Sequence, residues 1–340
     1  MRIAFILCDN GLGHVRRAAA VVAELRRASP SAEVAVFADP HRCARFGLAV
    51  TEPFLTGTTA QRLIAGEPAA CRWDERLPDL SRFDRVVSDN LVEALAVRPD
   101  AVLMGSFLWH LALPGAAPAF RRRARELLLR HRPTLLGTAP FVSEEARSLT
   151  RFQDIGFVVP PGMTPRFDAP KASGGLLIAS GKGGGVQDEI RDLLEALARG
   201  PRPGFEVVHV EPDCLPARAP EWMRPADFSP RMYRAVDAAV IRPGMGTVTD
   251  ALAAGARLYG FAEPGNEEMG DNLRAIETLG VGRAFAGLGG AREALAAAQS
   301  DHRDPAVARS HLSAVRKLDF HGATRAIPWI LGDAHDKPIG

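Results

Sequence analysis

Met1-Arg-Ile-Ala-Phe-Ile-Leu-Cys-Asp-Asn-Gly-Leu-Gly-His14 opens the chain in the order strand, glycine turn, mouth of a helix. Ile3–Cys8 is a short unbroken apolar run that stops at Asp9-Asn10, as a strand covered on both faces does. The run is too short for a secretory signal and no small-residue cleavage site follows it. Gly11 and Gly13 let backbone approach a ligand, and His14 begins a helix that runs to about Arg27. A second segment of this kind lies in the other half of the chain. There the strand Ala238–Ile241 meets Arg242-Pro-Gly-Met-Gly-Thr-Val-Thr-Asp250, and a helix is predicted over Val248–Ala254. Either turn alone is a weak signal; together they predict two nucleotide-fold halves facing a shared cleft.

Outward from the first turn, apolar runs at Glu33–Phe37, Arg85–Ser88, Ala101–Gly105 and Thr134–Gly137 alternate with amphipathic stretches, the pattern of a parallel sheet with crossover helices. Val159-Pro-Pro-Gly-Met-Thr-Pro-Arg-Phe-Asp-Ala-Pro170 interrupts it as a linker. The alternation restarts with strands at Gly175–Ser180, Phe205–Val210, Ala238–Ile241 and Leu258–Phe261, and with helices after Gln187, Asp271 and Ala291. The predicted class is α/β, with a Rossmann-like domain over 1–160, a linker over 161–173 and a second domain over 174–318. Residues 319–340 are expected to pack back across the junction. A length of 340 residues suits such a pair, since single cores stop growing near 250–300 residues.

Hydrophobic residues make up 46%, so the chain is expected to fold throughout. With 42 basic against 40 acidic residues, there is no general attraction to nucleic acid. Cys8, Cys43, Cys71 and Cys214 lack C-x-x-C or metal-site spacing and read as reduced thiols, which points to a cytoplasmic protein. No apolar stretch nears the ~20 residues needed to span a bilayer. Phe120-Arg-Arg-Arg-Ala-Arg-Glu-Leu-Leu-Leu-Arg-His-Arg132 is the basic exception. Phe120, Ala124, Leu127 and Leu128 share one helical face, which either packs on the sheet or lets residues 120–132 lie against anionic lipid headgroups as a membrane-peripheral contact.

Ligands of open parallel sheets gather beyond the carboxyl ends of strands, and both glycine turns stand at such ends. A dinucleotide turn, G-x-G-x-x-G, would need glycine where this chain has Arg16, and Asp39 alone imitates the ribose-binding acid, so NAD is disfavoured. A neutral His14 could take a proton from an attacking hydroxyl, or cap its helix. Asp89, in Arg85-Val-Val-Ser-Asp-Asn90, could orient His14, or cap the helix that Leu91 begins. In the later turn, the amides of Gly244-Met-Gly246-Thr247 and the helix dipole would receive a diphosphate, with Asp250 accepting from ribose hydroxyls. Ser180-Gly-Lys-Gly-Gly-Gly185 lacks the Walker order and reads as a wall near that diphosphate, with Gly181 close to it and Lys182 as charge partner, or as a simple loop. Glu263-Pro-Gly-Asn-Glu-Glu-Met-Gly-Asp-Asn272 offers carboxylates and amides to sugar hydroxyls, or is an acidic loop before the next helix.

Together these segments resemble the two-domain glycosyltransferases of the GT-B fold, especially the group around the lipid-linked N-acetylglucosaminyltransferase of peptidoglycan synthesis and related antibiotic glycosyltransferases. In that family a G-x-G-H turn belongs to the acceptor domain, and R-x-G-x-x-T-x-x-E holds the nucleotide sugar in the donor domain. Here these read Gly11-Leu-Gly13-His14 and Arg242-Pro-Gly244-Met-Gly-Thr247-Val-Thr-Asp250. The resemblance implies nucleobase contact near Phe228-Ser-Pro-Arg-Met232, and a closing loop in which Glu268 and Asn272 reach the sugar while Met269 stands where the family has glutamine. It further implies inverting transfer from a nucleotide-diphosphate sugar to an acceptor hydroxyl, with His14 as base and no cofactor or metal. The acceptor is left unnamed, and two readings compete: a nucleotide-sugar hydrolase or epimerase, and a non-catalytic nucleotide-sugar-binding protein.

Overall fold

Apolar runs of Ile, Val, Leu and Phe form two parallel sheets in the computed structural model, which describes residues 1–77, 79–167, 174–181, 186–287 and 289–333. Contacts group into two units, Met1–Pro161 with Asp319 onward, and Gly162–Leu318. In the first unit the strands are β1 (Arg2–Leu7), β2 (Glu33–Ala38), β3 (Glu52–Pro53), β4 (Arg85–Asp89), β5 (Val102–Met104), β6 (Thr134–Gly137) and β7 (Arg151–Asp154). They make a seven-stranded sheet in the order β3-β2-β1-β4-β5-β6-β7. The second unit holds β8 (Gly175–Ala179), β9 (Val208–Val210), β10 (Met223–Pro225), β11 (Val236–Ile241), β12 (Arg257–Ala262) and β13 (Gly282–Ala286), ordered β10-β9-β8-β11-β12-β13. Each sheet is Rossmann-like, and in each the strand order reverses once: between β1 and β4, and between β8 and β11. Such a reversal opens a crevice at the strands' carboxyl ends.

The helices that matter for these crevices are α1 (Gly13–Ala28), α2 (Pro118–His131), α3 (Val186–Arg199), α4 (Met245–Ala253), α5 (Glu267–Thr278), α6 (Gly290–Asp301) and α7 (Gly322–Leu331). The inner stripe of α1, with Val15, Ala18, Val22 and Leu25, is buried against Phe5 and Leu7 of β1. At about 1.5–3 kcal/mol per large aliphatic side chain, that stripe fixes where the helix mouth sits. Ala326, Ile327 and Ile330 of α7 join the same cluster, and Thr324 Oγ1 donates to Glu24 of α1 at 3.0 Å. Phe157 N–H donates to Asp319 O at 2.7 Å and Gly322 N–H to Phe157 O at 3.0 Å, which ties the end of the chain into the first unit.

Helix α2 spends its apolar face on the core: Phe120, Ala124, Leu127 and Leu128 are all buried in the first unit's main cluster. That face is therefore not free to enter a membrane, which corrects the lipid reading of residues 120–132 in its apolar half. Two of the arginines are also engaged, Arg123 with Asp74 at 2.7 Å and Arg125 with Glu145 at 2.5 Å. Beside the first pair lies Glu93, which accepts from Trp73 Nε1 at 3.2 Å. Burial, helped by the negative charge of Asp74, pushes its carboxyl up to about 7. Among the described residues no helix is long and apolar enough to cross a membrane.

Four edge strands, β3, β7, β10 and β13, escaped the sequence reading. Arg151-Phe-Gln-Asp154 is mostly polar because an edge strand needs no apolar run to keep its ladder dry.

Candidate functional site

In the first unit, Leu7 of β1 pairs with Asp89 of β4, so the two strands end level. The glycine turn and Asp89 thus emerge side by side at the reversal of strand order. Gly11 has φ +88, and Leu12 occupies the N-cap position of α1 without making a side-chain cap bond. His14 is the second residue of the helix, is 8% exposed, and sends its ring toward β4, away from its own backbone. Its Nδ1 lies 2.6 Å from Asp89 Oδ1. Burial would push the Asp89 carboxyl up, but the Arg17 guanidinium and His14 outweigh it and hold the group below the usual carboxylate range. The carboxylate has no proton to give, so Nδ1–H is the donor and the lone pair is left on Nε2.

Arg17 holds the other side of the carboxylate as a fork, Nη2 to Oδ1 at 2.6 Å and Nε to Oδ2 at 3.0 Å. Asp89 is 0% exposed. It caps no helix; the next element is a 3-10 turn over Val92–Ala96 whose N-cap is Leu91. The following residue, Asn90, takes a left-handed φ of +58 and, in the amide orientation that satisfies both groups, donates to Met104 O and Phe107 O at 3.2 Å each. Any Cβ at Gly105 would collide with that side chain. Asn90 and Gly105 thereby lock the ends of β4 and β5 together and set Phe107 edge-on to His14, with ring centroids 6.1 Å apart. The product is a buried imidazole, oriented by a charged carboxylate and walled by an aromatic ring.

The second unit handles charge through backbone. Ala179 pairs with Ile241, so β8 and β11 also end level, and Arg242 N–H donates to Ala179 O at 3.0 Å. Gly244 is the N-cap of α4, with no side-chain cap bond and no acid in the first turn. The first amides of α4 stand at the positive end of the helix dipole. Gly244 has an ordinary φ of −67, and a Cβ built there meets nothing within 4 Å. Neither conformation nor packing asks for glycine at that position, while close approach of a ligand to the backbone would.

Around this turn the side chains lock one another. Arg242 forks onto Glu263, Nη2 to Oε1 at 2.7 Å and Nε to Oε2 at 2.9 Å. Burial would raise the Glu263 carboxyl, but the bonds from Arg242 hold it below its ordinary value. Asn272 Nδ2 donates to Pro243 O at 2.7 Å, and Asn266 caps α5. Behind β8, Glu211 Oε2 accepts from Ser180 N, Ser180 Oγ and Gly181 N, each at 2.8 Å, which fixes the neighbouring turn.

Of the residues expected from sequence, His14 and Asp89 meet in the first unit, with Gly13 at the start of α1. In the second unit Gly181, Arg242, Gly244, Gly246 and Thr247 stand at the level ends of β8 and β11. Phe228 is half-buried with a left-handed φ of +53, a conformation rarely adopted by a bulky residue. Glu268 is half-buried on the first turn of α5. Met232, Asp250 and Asn272 are 5%, 1% and 0% exposed, so their side chains offer almost no surface to a ligand, and the visible work of Asn272 is on the turn. Met269 is likewise buried, packed on Ala262 and Leu273. Lys182 lies outside the described residues. Arg17, Phe107 and the carboxylate of Glu211 were missed. The spacing of His14 and Arg17, one helical turn apart, was the available signal for the first. Among the described residues no three His, Cys, Asp or Glu side chains gather as metal ligands.

No family model and no curated protein matches the chain. Solved structures do. The glycotransferase of kitacinnamycin is 16% identical with a TM-score of 0.62, covering 97% of this chain and 98% of its own. Spinosyn rhamnosyltransferase SpnG is 18% identical with a TM-score of 0.64, covering 95% and 98%; it has also been solved with spinosyn aglycone and with thymidine diphosphate. UGT89C1 of Arabidopsis thaliana, complexed with quercetin, is 10% identical with a TM-score of 0.66, covering 97% and 98%. At these identities the likeness establishes the GT-B fold over nearly the whole chain. The resemblance to the peptidoglycan enzyme remains a comparison of motifs.

Proposed function

We propose that this chain is a glycosyltransferase that moves a sugar from a nucleotide-diphosphate donor to an acceptor hydroxyl, with inversion at the anomeric carbon. The observation that carries the reading is the 2.6 Å contact of His14 with the buried, ionised Asp89 at the strand-order reversal of a GT-B fold. With Nδ1–H committed to Asp89, Nε2 accepts the proton of the acceptor hydroxyl as its oxygen bonds to the anomeric carbon. The bond from that carbon to the diphosphate breaks as the new one forms, and the electron pair leaves on the diphosphate. In the second unit the amides at the start of α4 take up the charge of the leaving group, which backbone dipoles do without reorganising. Arg242 is bonded to Glu263 and shapes the turn, so the amides carry the anion. Phe107 beside the base favours an acceptor with an apolar or aromatic body around its hydroxyl.

The test is calorimetric binding of UDP-, dTDP- and GDP-sugars, followed by product analysis of each tight binder with and without an acceptor panel. Thymidine diphosphate and an aglycone, bound by SpnG, give the first members of both panels. Transfer of sugar, lost in His14→Ala while the donor still binds, is expected. Release of free sugar without acceptor would replace transfer with hydrolysis. Tight binding without turnover across the panel would leave a nucleotide-sugar-binding protein.

A further inference from the structure

A histidine paired with a lone buried carboxylate has a difficulty as a base. The carboxylate that orients the ring also stabilises its protonated form, and a protonated ring cannot accept another proton. In this chain the carboxylate is not lone. Asp89 Oδ1 faces His14 Nδ1 and Arg17 Nη2, each at 2.6 Å, and Oδ2 takes Arg17 Nε at 3.0 Å. Both oxygens are occupied, the carboxylate is fully buried, and Nη2 itself comes within 3.5 Å of the imidazole.

We propose that Arg17 is a positioning residue for the base: it shares the charge of Asp89 with His14, so that the carboxylate fixes the ring's tautomer and direction without trapping it as imidazolium. The assignment rests on the reading of His14 as the base. The fork does the orienting, because a planar guanidinium holding two oxygens lets the carboxylate turn about neither axis. The positive charge does the rest, acting against protonation of a ring it nearly touches.

Other titratable and charged groups stand near the turn. At the end of β1 the Cys8 thiol is pushed up to about 12 by burial and stays neutral. Asp9, next to it, is turned to Thr56 Oγ1 and the N–H of Gly57. Arg42 of the following segment donates to Gly11 O at 3.3 Å, and Arg16 follows on α1. From α7 the cluster receives the apolar Ala326 and Ile327, and from the loop after β5 the neutral ring of Phe107.

The experiment follows the His14 ring nitrogens by NMR across pH in the full chain, alongside the pH dependence of transfer, for the parent protein, Arg17→Gln and Arg17→Lys. A like charge this close disfavours the protonated ring and lowers the pH at which it forms. In Arg17→Gln the ring is expected to titrate about one pH unit higher than in the parent, and transfer to fall by up to about tenfold at pH values below both titrations and return at higher pH. Arg17→Lys, keeping the charge but losing the fork, is expected to titrate close to the parent with a lower kcat. Coincident ring titrations in the parent and Arg17→Gln would overturn the proposal. If Arg17→Gln does not fold, the parent decides alone: the Arg17 Nε–H resonance must follow the His14 titration, and a resonance indifferent to it overturns the proposal. A ring that shifts as expected while the rate profile does not would uphold the role of Arg17 and reject His14 as the base.

Discussion

The turn after β1 and the turn after β11 have the same frame, a parallel strand ending level with its neighbour, then glycines, then a helix, yet they hold charge in opposite ways. In the first, the glycines leave the backbone open and the charges sit on side chains, His14, Arg17 and Asp89. In the second, the side chains neutralise each other, Arg242 against Glu263, and the helix that follows points its positive end at the turn. Under the proposed function, the difference teaches how one fold serves two tasks. Moving a proton needs a group that can titrate, so side chains line the first turn. Holding a polyanion needs dipoles that never titrate, so amides line the second.

The sharpest way to break that contrast is His14→Ala, which should lower the transfer rate by roughly 10²–10⁴ with donor affinity unchanged. Rates and calorimetry on one sample check it; a matching loss of donor affinity would mean the two turns are not divided as described. Next in size is the buried carboxylate of the first unit that has no cation of its own. Glu93 is raised from an ordinary 4.5 to about 7, so the folded state holds more protons than the unfolded one between those values and stability falls as pH rises through them. Glu93→Gln should abolish up to about 3 kcal/mol of that alkaline loss, measured by denaturant unfolding at pH 5 and pH 8. Asp89 and Glu263 have the opposite sign. Their carboxyls are lowered, so what they contribute is complete above the ordinary range and is lost as pH falls.

Smaller again is Arg242→Ala, which leaves Glu263 unpaired in a partly solvated site. A loss of about 2 kcal/mol is expected, below the 3–5 for a fully buried pair because both groups keep some water. Glu263→Gln with Arg242→Ala should recover most of it. The smallest effect sharpens the backbone side of the contrast. Gly244→Ala fits without strain or clash, so its melting temperature should match or slightly exceed the parent's, while donor affinity drops about tenfold, or 1.4 kcal/mol. Unchanged affinity would move the anion away from this turn.

The two sheets were legible because their central strands are covered on both faces and read as unbroken apolar runs. Edge strands such as Arg151–Asp154 carry no such mark. His14 was legible from its turn, and Asp89, 75 positions away, was legible as a partner for it or as a helix cap; which of the two it is depends on the register of Leu7 with Asp89, which no local pattern encodes. Arg17 looked like any arginine on a helix, since an internal fork onto a distant carboxylate leaves no trace in composition. Asn272 is a different case. A polar residue in a family motif invites a ligand, whereas here it is sealed beneath Pro243 to brace the turn. Lys182 cannot be compared, lying outside the described residues.

The packing of α7 on α1 sets an order for biosynthesis. The first unit is made of the earliest residues and of those from Asp319 onward, so the ribosome releases most of its sheet long before the helix that covers it. Until Ile327 and Ile330 emerge, the outer side of α1 is a bare apolar stripe, and the stretch from Gly162 to Leu318 can fold while it waits. A nascent chain arrested short of residue 320 should therefore engage chaperones through α1, although the missing piece is α7.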